Sequence, residues 1–312
     1  MSEDQFQLRI RRDATAFVRA WLPTGAVRGV VQIVHGMAEH GGRYARFARV
    51  LNQAGFAVYA QDLPGHGRTA RAPDELGHFA DNHGWRLAMQ SIRAVELEVL
   101  ERHPGLPLTL FGHSLGSYLT QEYIVTHGNS LSAVILSATS GELGRIRKIL
   151  LPLLRTEALF GGVGYPSAVA DKLTYRRFNR QFGKPRTPHD WLSRDPAEVD
   201  RYVADPHCGF RASCGLWIEM MVVCGYLRDA RRLARIPREL PILMINGSAD
   251  PVTGGEKGPR ILEAAYRKTG LSTVEVKIYP DARHELLNEI CRDEVTQDVL
   301  QWLDQQLAPS SR

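Results

Sequence analysis

Residues 106–116 read LPLTLFGHSLG, and the fold prediction starts from this stretch. Its first seven residues form a continuous apolar run, which is typical of a strand buried on both faces of a sheet. Residues 112–116 match G-x-S-x-G, and a helix is predicted from about 115 to 126. A serine in a sharp turn between a strand and a helix stands exposed at the carboxyl end of the strand. Ser114 is therefore the candidate nucleophile, although the bare pentapeptide also arises by chance.

Two later strands lead into the groups that a serine nucleophile needs. A serine hydroxyl is a poor nucleophile until a base takes its proton. Strand 241–247 runs into Asp250, and strand 272–279 runs into His284, so the chain order is serine, acid, histidine. We predict Asp250 as the acid that orients the histidine and His284 as the general base.

Other assignments of the acid and the base stay open at this level. Asp250 precedes a proline, which is a common turn pairing. Asp281 is an alternative acid, and His207, His78 and His83 are alternative bases. None of these alternatives satisfies both the chain order and the position at a strand end, so Asp250 and His284 are preferred.

The loop that follows an early strand reads HGMAEHGGRY at residues 35–44. Where a serine lies in this kind of turn, an early strand-to-helix loop gives one backbone N–H to the oxyanion, and the residue after the serine gives the other. We therefore predict the backbone N–H groups of Met37 and Leu115 as the oxyanion hole.

The same loop carries His35, Glu39 and His40, which are residue types that bind metals. Their order differs from H-E-x-x-H, and a glycine-rich loop does not place them on one helix face. We therefore expect no metal. No nucleotide loop or dinucleotide fingerprint is visible, so we also expect no cofactor.

Strands alternate with helices along most of the chain. Runs 15–22 and 28–34 predict a hairpin-like start, whereas residues 140–235 lack clear strands. We predict a mostly parallel, doubly wound sheet in a core of residues 1–139 and 236–312, with a helical cap inserted at 140–235. The other predicted elements are strands 56–62 and 132–138 and helices 44–54, 84–103, 256–269 and 292–307.

Six segments carry a resemblance to a known group of proteins. They are HGMAEHGGRY (35–44), QDLPGHG (61–67), GHSLG (112–116), LSRDPAEVDRYVADP (192–206), NGSADPV (246–252) and HELLNE (284–289). Together they resemble the monoacylglycerol lipase and lysophospholipase group of serine hydrolases. They span most of the chain, so the resemblance implies the α/β-hydrolase fold over most of its length.

The resemblance also implies roles for the insertion and for three side chains. In that group the insertion is a lipid-facing cap over the active site, which suits the apolar stretches 146–160 and 215–227, although ordinary core packing explains them equally well. The polar headgroup pocket of the group corresponds here to Glu39, Arg43 and Tyr202. A surface ion pair between Glu39 and Arg43 and a packed ring at Tyr202 are the structural alternatives.

Composition excludes some classes of protein. The chain has 312 residues and a net charge of +5, without a dense basic run interleaved with aromatic residues, so nucleic-acid binding has no support. The positive charge suits an anionic lipid surface, and peripheral membrane contact through the cap stays open. The N-terminus lacks an apolar signal segment, which leads us to expect a cytoplasmic protein. A bridge between Cys208 and Cys214 stays open.

The predicted activity is hydrolysis of single-chain acyl esters, monoacylglycerol or lysophospholipid, through an acyl-enzyme on Ser114. An acyltransferase, a thioesterase or a peptidase would use the same three side chains, since only the surrounding pockets differ. A non-catalytic ligand-binding protein on this scaffold is a further alternative. The predicted partner is a small acyl ester, and the oligomeric state is not predicted.

Overall fold

The structure is a computed structural model that describes residues 2–141 and 146–308. Residues 142–145 of the predicted cap lie outside the described residues. The strands are β1 (Ser2–Arg11), β2 (Ala14–Leu22), β3 (Gly29–Val34), β4 (Phe56–Gln61), β5 (Leu108–His113), β6 (Ala133–Ser137), β7 (Ile242–Gly247) and β8 (Val274–Tyr279). The helices are α1 (Ala45–Gln53), α2 (Gly84–Arg102), α3 (Leu115–His127), α4 (Ile146–Gly161), α5 (Ala168–Leu173), α6 (Tyr175–Phe178), α7 (Pro196–Ala204), α8 (Cys214–Val223), α9 (Ala230–Leu233), α10 (Lys257–Lys268) and α11 (Arg292–Gln306).

All eight strands form one sheet, in the order β1-β2-β4-β3-β5-β6-β7-β8. Strands β3 to β8 pair in parallel, whereas β2 is antiparallel to both β1 and β4. Every residue of β3, β4, β5, β6 and β7 is buried, as expected for parallel strands covered by helices on both faces. The predicted fold class is confirmed.

The hairpin predicted between runs 15–22 and 28–34 is wrong. Strand β2 pairs with β1 and with β4, and β3 lies between β4 and β5. Strand β3 is buried on both faces and pairs in parallel with β4 and β5, so the chain crosses the sheet after β2 rather than turning back. Phe6 and Leu8 in β1 alternate with exposed polar residues, which is the period-two pattern of a half-buried strand.

Apolar side chains pack on both faces of the sheet. On one face, Phe47 of α1 and Val299 of α11 belong to a single buried cluster. On the other face, Ile92 of α2, Leu119 of α3 and Leu262 of α10 belong to a larger one. This packing fixes the pairing of the central strands, because shifting a strand's pairing by one residue moves its side chains to the opposite face.

The order of the strands produces a crevice at one edge of the sheet. From β3 the chain passes to β4 on one side, and it then returns to β5 on the other side of β3. In open α/β sheets, ligands bind outside the carboxyl ends of the strands at such a switch point. The loop after β3 and the turn after β5 therefore lie next to each other.

Between β6 and β7 the described residues form helices α4 to α9, and the described parts of 140–235 contain no strand. An isolated bridge joins Pro166 to Ser213. Helix α8 packs against α4 and against α2 of the core. The division of the chain into a core and a cap stays a prediction. Across 2–141 and 146–308, no helix has the length and apolar character needed to cross a bilayer.

Candidate active site

Ser114 occupies the turn between β5 and α3 with φ 51° and ψ −115°. A positive φ strains any residue other than glycine, and such strain persists only where the surroundings impose it. The two neighbouring glycines make this turn sterically accessible. A Cβ at Gly112 would collide with Thr120 Oγ1, and a Cβ at Gly116 would collide with the carbonyl oxygen of Val34. The motif is therefore a packing requirement as well as a chemical one.

His284 lies between Ser114 and Asp250. Its Nε2 is 2.9 Å from Ser114 Oγ, and its Nδ1 is 2.9 Å from Asp250 Oδ2. Asp250 Oδ1 accepts the Val252 N–H at 2.8 Å, and Asp250 Oδ2 accepts the Thr253 hydroxyl at 3.0 Å. The side chains at 114, 284 and 250 therefore form one hydrogen-bonded row, although they come from three separate loops.

The charges in this row stabilise each other. Burial disfavours the ionised Asp250, but the His284 imidazole and the hydrogen bonds from Val252 and Thr253 outweigh burial and lower the pKa of Asp250 below its usual value. Burial also disfavours the imidazolium of His284, but Asp250 outweighs burial and raises the pKa of His284 above 6.5. The arrangement suits an imidazole that accepts a proton beside a permanently ionised carboxylate.

Two rings hold the His284 imidazole. The centroids of His113 and Trp191 each lie 5.1 Å from that of His284. Burial lowers the pKa of His113 to about 3, so His113 stays neutral beside the imidazole that takes up charge. Trp191 was missed by sequence reasoning, because its segment carries no motif for this chemistry.

Met37 and Leu115 line the space in front of Ser114. Leu115 is the first residue of α3, where backbone N–H groups have no partner within the helix. Within the described parts of the chain, no protein acceptor bonds the N–H of Met37 or Leu115. The assignment of these two N–H groups as the oxyanion hole stays a prediction.

A cavity of about 330 Å³ opens onto Ser114. Its lining is mostly apolar and comes from the helices inserted after β6, from α3 and α10, and from the loop after β3 and the loops that contain Asp250 and His284. The apolar side chains are Met37, Leu115, Tyr118, Ile146, Leu150, Tyr175, Phe178, Trp191, Leu192, Tyr202, Trp217, Met220, Met221, Pro251, Val252 and Ile261. Such a cavity suits an acyl chain, with few polar groups around it.

The three side chains predicted to bind a headgroup mainly contact other protein groups. Glu39 and Tyr202 line the cavity, whereas Arg43 does not line it within the described chain. Arg43 pairs with Glu39 at 2.9 Å and with Glu285 at 2.5 Å. The Tyr202 hydroxyl donates to the carbonyl of Ala38 at 2.9 Å. These contacts leave the three side chains little hydrogen-bonding capacity for a ligand. Their role in substrate binding stays a prediction.

Within the described residues, one group of metal-binding side chains is close-packed. The ligand atoms of His40, Asp205 and Cys208 lie within 4.8 Å of one another. His40 Nδ1 accepts the Gly42 N–H at 3.1 Å, so a neutral imidazole carries its proton on Nε2 and donates to Asp205. Burial raises the pKa of the Cys208 thiol, which opposes a thiolate ligand. We assign no metal to this group.

The four cysteines are all free, so no bridge joins Cys208 to Cys214. Cys214 and Cys224 are buried residues, and burial raises the pKa of both thiols. Unreactive structural thiols are consistent with these surroundings.

The comparisons with known proteins agree with this geometry. The monoacylglycerol lipase of Mycolicibacterium smegmatis is 29% identical over 288 residues, which cover 91% of this chain and 90% of that protein. The monoglyceride lipase of Homo sapiens is 25% identical over 307 residues, with 94% and 88% covered. The crystal structure of a carboxyl esterase from Bacillus coagulans in complex with glycerol aligns with a TM-score of 0.88 and 29% identity, covering 99% of this chain and 100% of that one.

These relatives confirm the resemblance that the six sequence segments indicated. The family model described as "Serine aminopeptidase, S33" matches residues 25–290, which is most of the chain. The chain therefore belongs to the serine aminopeptidase S33 family of serine hydrolases (Hydrolase_4).

Proposed function

We propose that this chain hydrolyses the ester bond of single-chain acyl lipids, with monoacylglycerol as the substrate class. The observation that carries the proposal is the hydrogen-bonded row of residues 114, 284 and 250, which opens into a mostly apolar cavity. The names of the relatives from Mycolicibacterium smegmatis and Homo sapiens support the same substrate class. Apolar walls favour an acyl chain over a peptide, whose amide groups would lose their hydrogen bonds to water there.

In the proposed reaction, His284 Nε2 removes the proton from Ser114 Oγ as this oxygen attacks the acyl carbonyl carbon. The backbone N–H groups of Met37 and Leu115 bind the oxygen that becomes negative. Collapse of the tetrahedral intermediate breaks the ester bond, and the glycerol oxygen leaves with the proton from His284. A water molecule then repeats the sequence on the acyl-enzyme and releases the fatty acid. Asp250 stays ionised and stabilises the imidazolium.

A panel of substrates with one acyl chain tests this proposal. We expect release of fatty acid from monolauroylglycerol and from p-nitrophenyl laurate, and slower release from lauroyl lysophosphatidylcholine. Lauroyl coenzyme A and an aminoacyl p-nitroanilide are the competing thioester and peptide substrates. Turnover of either competitor without turnover of monolauroylglycerol would contradict the proposal.

We also propose that α4 contacts the membrane surface. Ile146 and Leu150 of α4 line the cavity, whereas Leu159 and Phe160 at its end are 84% and 89% exposed. Ile149 is a further exposed apolar residue of the same helix. Exposed apolar side chains on a helix that also lines the acyl cavity suit a substrate that resides in a lipid layer.

Replacing Leu159 and Phe160 together by serine is expected to weaken vesicle binding by about a hundredfold or more, because burial of each side chain contributes roughly 1.5–3 kcal/mol to the binding free energy. Cosedimentation with vesicles of phosphatidylcholine and phosphatidylglycerol measures this. Leu97→Ser on α2, where Leu97 is 50% exposed, is the matched control and should leave binding unchanged. Equal binding of the double variant and the wild type would exclude α4 as the contact.

A further inference from the structure

A buried cluster of three charges joins the loop that contains Met37 to the loop that contains His284. Arg43 Nη1 donates to Glu39 Oε2 at 2.9 Å and to Glu285 Oε1 at 2.5 Å, and Arg43 Nη2 donates to Glu285 Oε2 at 2.7 Å. The side chains of Glu39, Arg43 and Glu285 are 4%, 11% and 7% exposed. One guanidinium thus binds two carboxylates that come from opposite ends of the chain.

Glu39 connects this cluster to the loop that contains Met37. Its Oε1 accepts the backbone N–H of Gly36 at 2.6 Å and the hydroxyl of Tyr44 at 2.9 Å. The bond to Gly36 restrains the His35–Gly36 peptide, which is one peptide group before the one that carries the Met37 N–H, the proposed oxyanion donor. A carboxylate that accepts a backbone N–H makes a short, directional bond, which restrains the loop.

Glu285 connects the cluster to the loop that contains His284. Arg43 holds the Glu285 carboxylate through two parallel hydrogen bonds, and Asn288 donates to the same carboxylate at 3.0 Å. The Glu285 backbone N–H donates to the carbonyl of Leu192 at 2.8 Å. Because Glu285 follows His284 directly, these bonds restrain the backbone that carries the imidazole.

Arg43 also contacts Tyr202 of α7, and Tyr202 in turn binds the loop that contains Met37. The Arg43 guanidinium carbon lies 4.8 Å from the centroid of the Tyr202 ring, whose hydroxyl donates to the carbonyl of Ala38. The Gly209 N–H donates to that carbonyl at 3.0 Å. Ala38 has φ 58°, a conformation that needs restraint from its surroundings in a residue other than glycine.

Stability alone explains the cluster poorly. Replacing a buried ion pair by apolar side chains of similar volume is often neutral or stabilising, so buried charges are weak evidence of a stabilising role. Two parallel N–H···O bonds, however, fix the relative orientation of two groups more strictly than apolar contacts do. Both carboxylates that pair with Arg43 lie on loops next to the proposed reacting groups.

We propose that Arg43 is a positioning residue, which holds the loop that contains Met37 and the loop that contains His284 at a fixed separation. It acts through its contacts with Glu39, Glu285 and Tyr202. It does so without touching the substrate. This inference rests on the proposed ester hydrolysis at Ser114, and it assigns Arg43 a role other than headgroup binding.

Arg43→Met tests the inference with a soluble short-chain ester, p-nitrophenyl butyrate. We expect kcat to fall by about 10²–10³-fold, as for a misplacement of about 1 Å or the loss of one oxyanion donor, with KM within about threefold of wild type. Inhibition by a trifluoromethyl ketone, which binds as a tetrahedral oxyanion, should weaken by the same factor. Arg43→Lys should recover only part of kcat, because lysine cannot form the two parallel bonds.

Arg232→Met is the matched control. Arg232 also pairs with a carboxylate, Glu122 at 2.5 Å, and also lies over a tyrosine ring, that of Tyr226 at 4.5 Å, and neither of these partners belongs to the loops that contain Met37 and His284. The kcat of the Arg232→Met variant should stay at the wild-type value. If Arg43→Met does not fold, Arg43→Met with Glu285→Leu takes its place, since this pair keeps the net charge of the cluster, and the same fall in kcat is expected.

Two results would overturn the inference. One is a folded Arg43→Met enzyme with kcat within about threefold of wild type, and the other is a loss confined to KM, which would favour the headgroup role. Failure of the proposed function would look different. In that case the wild-type protein itself would not hydrolyse esters, or its activity would survive the loss of Ser114.

Discussion

Ser114→Ala is expected to lower kcat for ester hydrolysis by about 10⁶-fold, because removing the serine of a hydrogen-bonded Ser-His-Asp row removes the function of all three groups. The remaining activity would come from substrate binding and the oxyanion donors. Alanine at this position keeps the backbone strain of the turn, so the fold should be unchanged. Stopped-flow or long-time-course assays with p-nitrophenyl laurate measure kcat, and circular dichroism checks the fold.

Covalent labelling separates loss of the nucleophile from loss of structure. A fluorophosphonate probe should label the wild-type protein with one equivalent and should not label Ser114→Ala. Ser130→Ala is the control, since Ser130 only donates to the carbonyl of His127 at a distant helix end. Labelling of Ser114→Ala to the wild-type extent would falsify the assignment of the nucleophile.

Asp250→Asn is expected to lower kcat by about 10⁴-fold through the wrong tautomer of His284. The Val252 N–H needs an acceptor at the position of Oδ1, so the new amide oxygen should occupy that position. The amide nitrogen then takes the position of Oδ2, which faces His284 Nδ1 at 2.9 Å. An amide N–H there requires a lone pair on Nδ1, so the imidazole proton moves to Nε2 and Nε2 cannot accept the serine proton.

The pH dependence of kcat/KM provides a second readout of Asp250. His284 must be neutral to act as a base, so the wild-type rate should fall as the pH drops through a pKa above 6.5. Burial lowers the pKa of His284 and the Asp250 charge raises it, so removing the charge should move this acidic limb to lower pH. Thr253→Val is the control, because it removes one hydrogen bond to Asp250 and keeps the charge. An unchanged acidic limb in Asp250→Asn would contradict the pairing.

The strand and helix around Ser114 could be predicted from sequence because their signals are local. The run 106–112 and the helix 115–126 are observed as β5 (Leu108–His113) and α3 (Leu115–His127). A continuous apolar run followed by a glycine-flanked serine leaves few alternatives for the backbone. The side chains at 250 and 284 were predicted for a related reason, since each lies in the loop that follows a strand of the parallel sheet.

Strand pairing was less predictable. The sequence contains the alternating pattern of β1 and the apolar run of β3. Neither pattern indicates which strands lie next to β1 or β3 in the sheet. The order β2-β4-β3 results from burying β3 on both faces, which depends on helices far along the chain. A hairpin between β2 and β3 agrees with the two strand-like runs separated by a turn. It does not place β3 in the middle of the sheet, where both of its faces are buried.

The contacts that hold the site were not readable from sequence. Trp191 packs on His284 from a segment without a motif, and Glu285 pairs with Arg43 across 242 positions of the chain. Family resemblance suggested Arg43 and Tyr202 as headgroup contacts, whereas the structure places them against other protein groups. A charged side chain bonds to whichever partner the fold brings within reach, and its own sequence neighbours do not specify that partner.

The sequence by itself determined the local conformations and the order of the reacting groups, because strand periodicity, the glycine-flanked serine and the strand ends are properties of short segments. Tertiary structure decided which strands are neighbours, how large the cavity is and which partners surround Arg43 and His284. These features depend on burying both faces of the sheet at once, and on satisfying every charge within that packing.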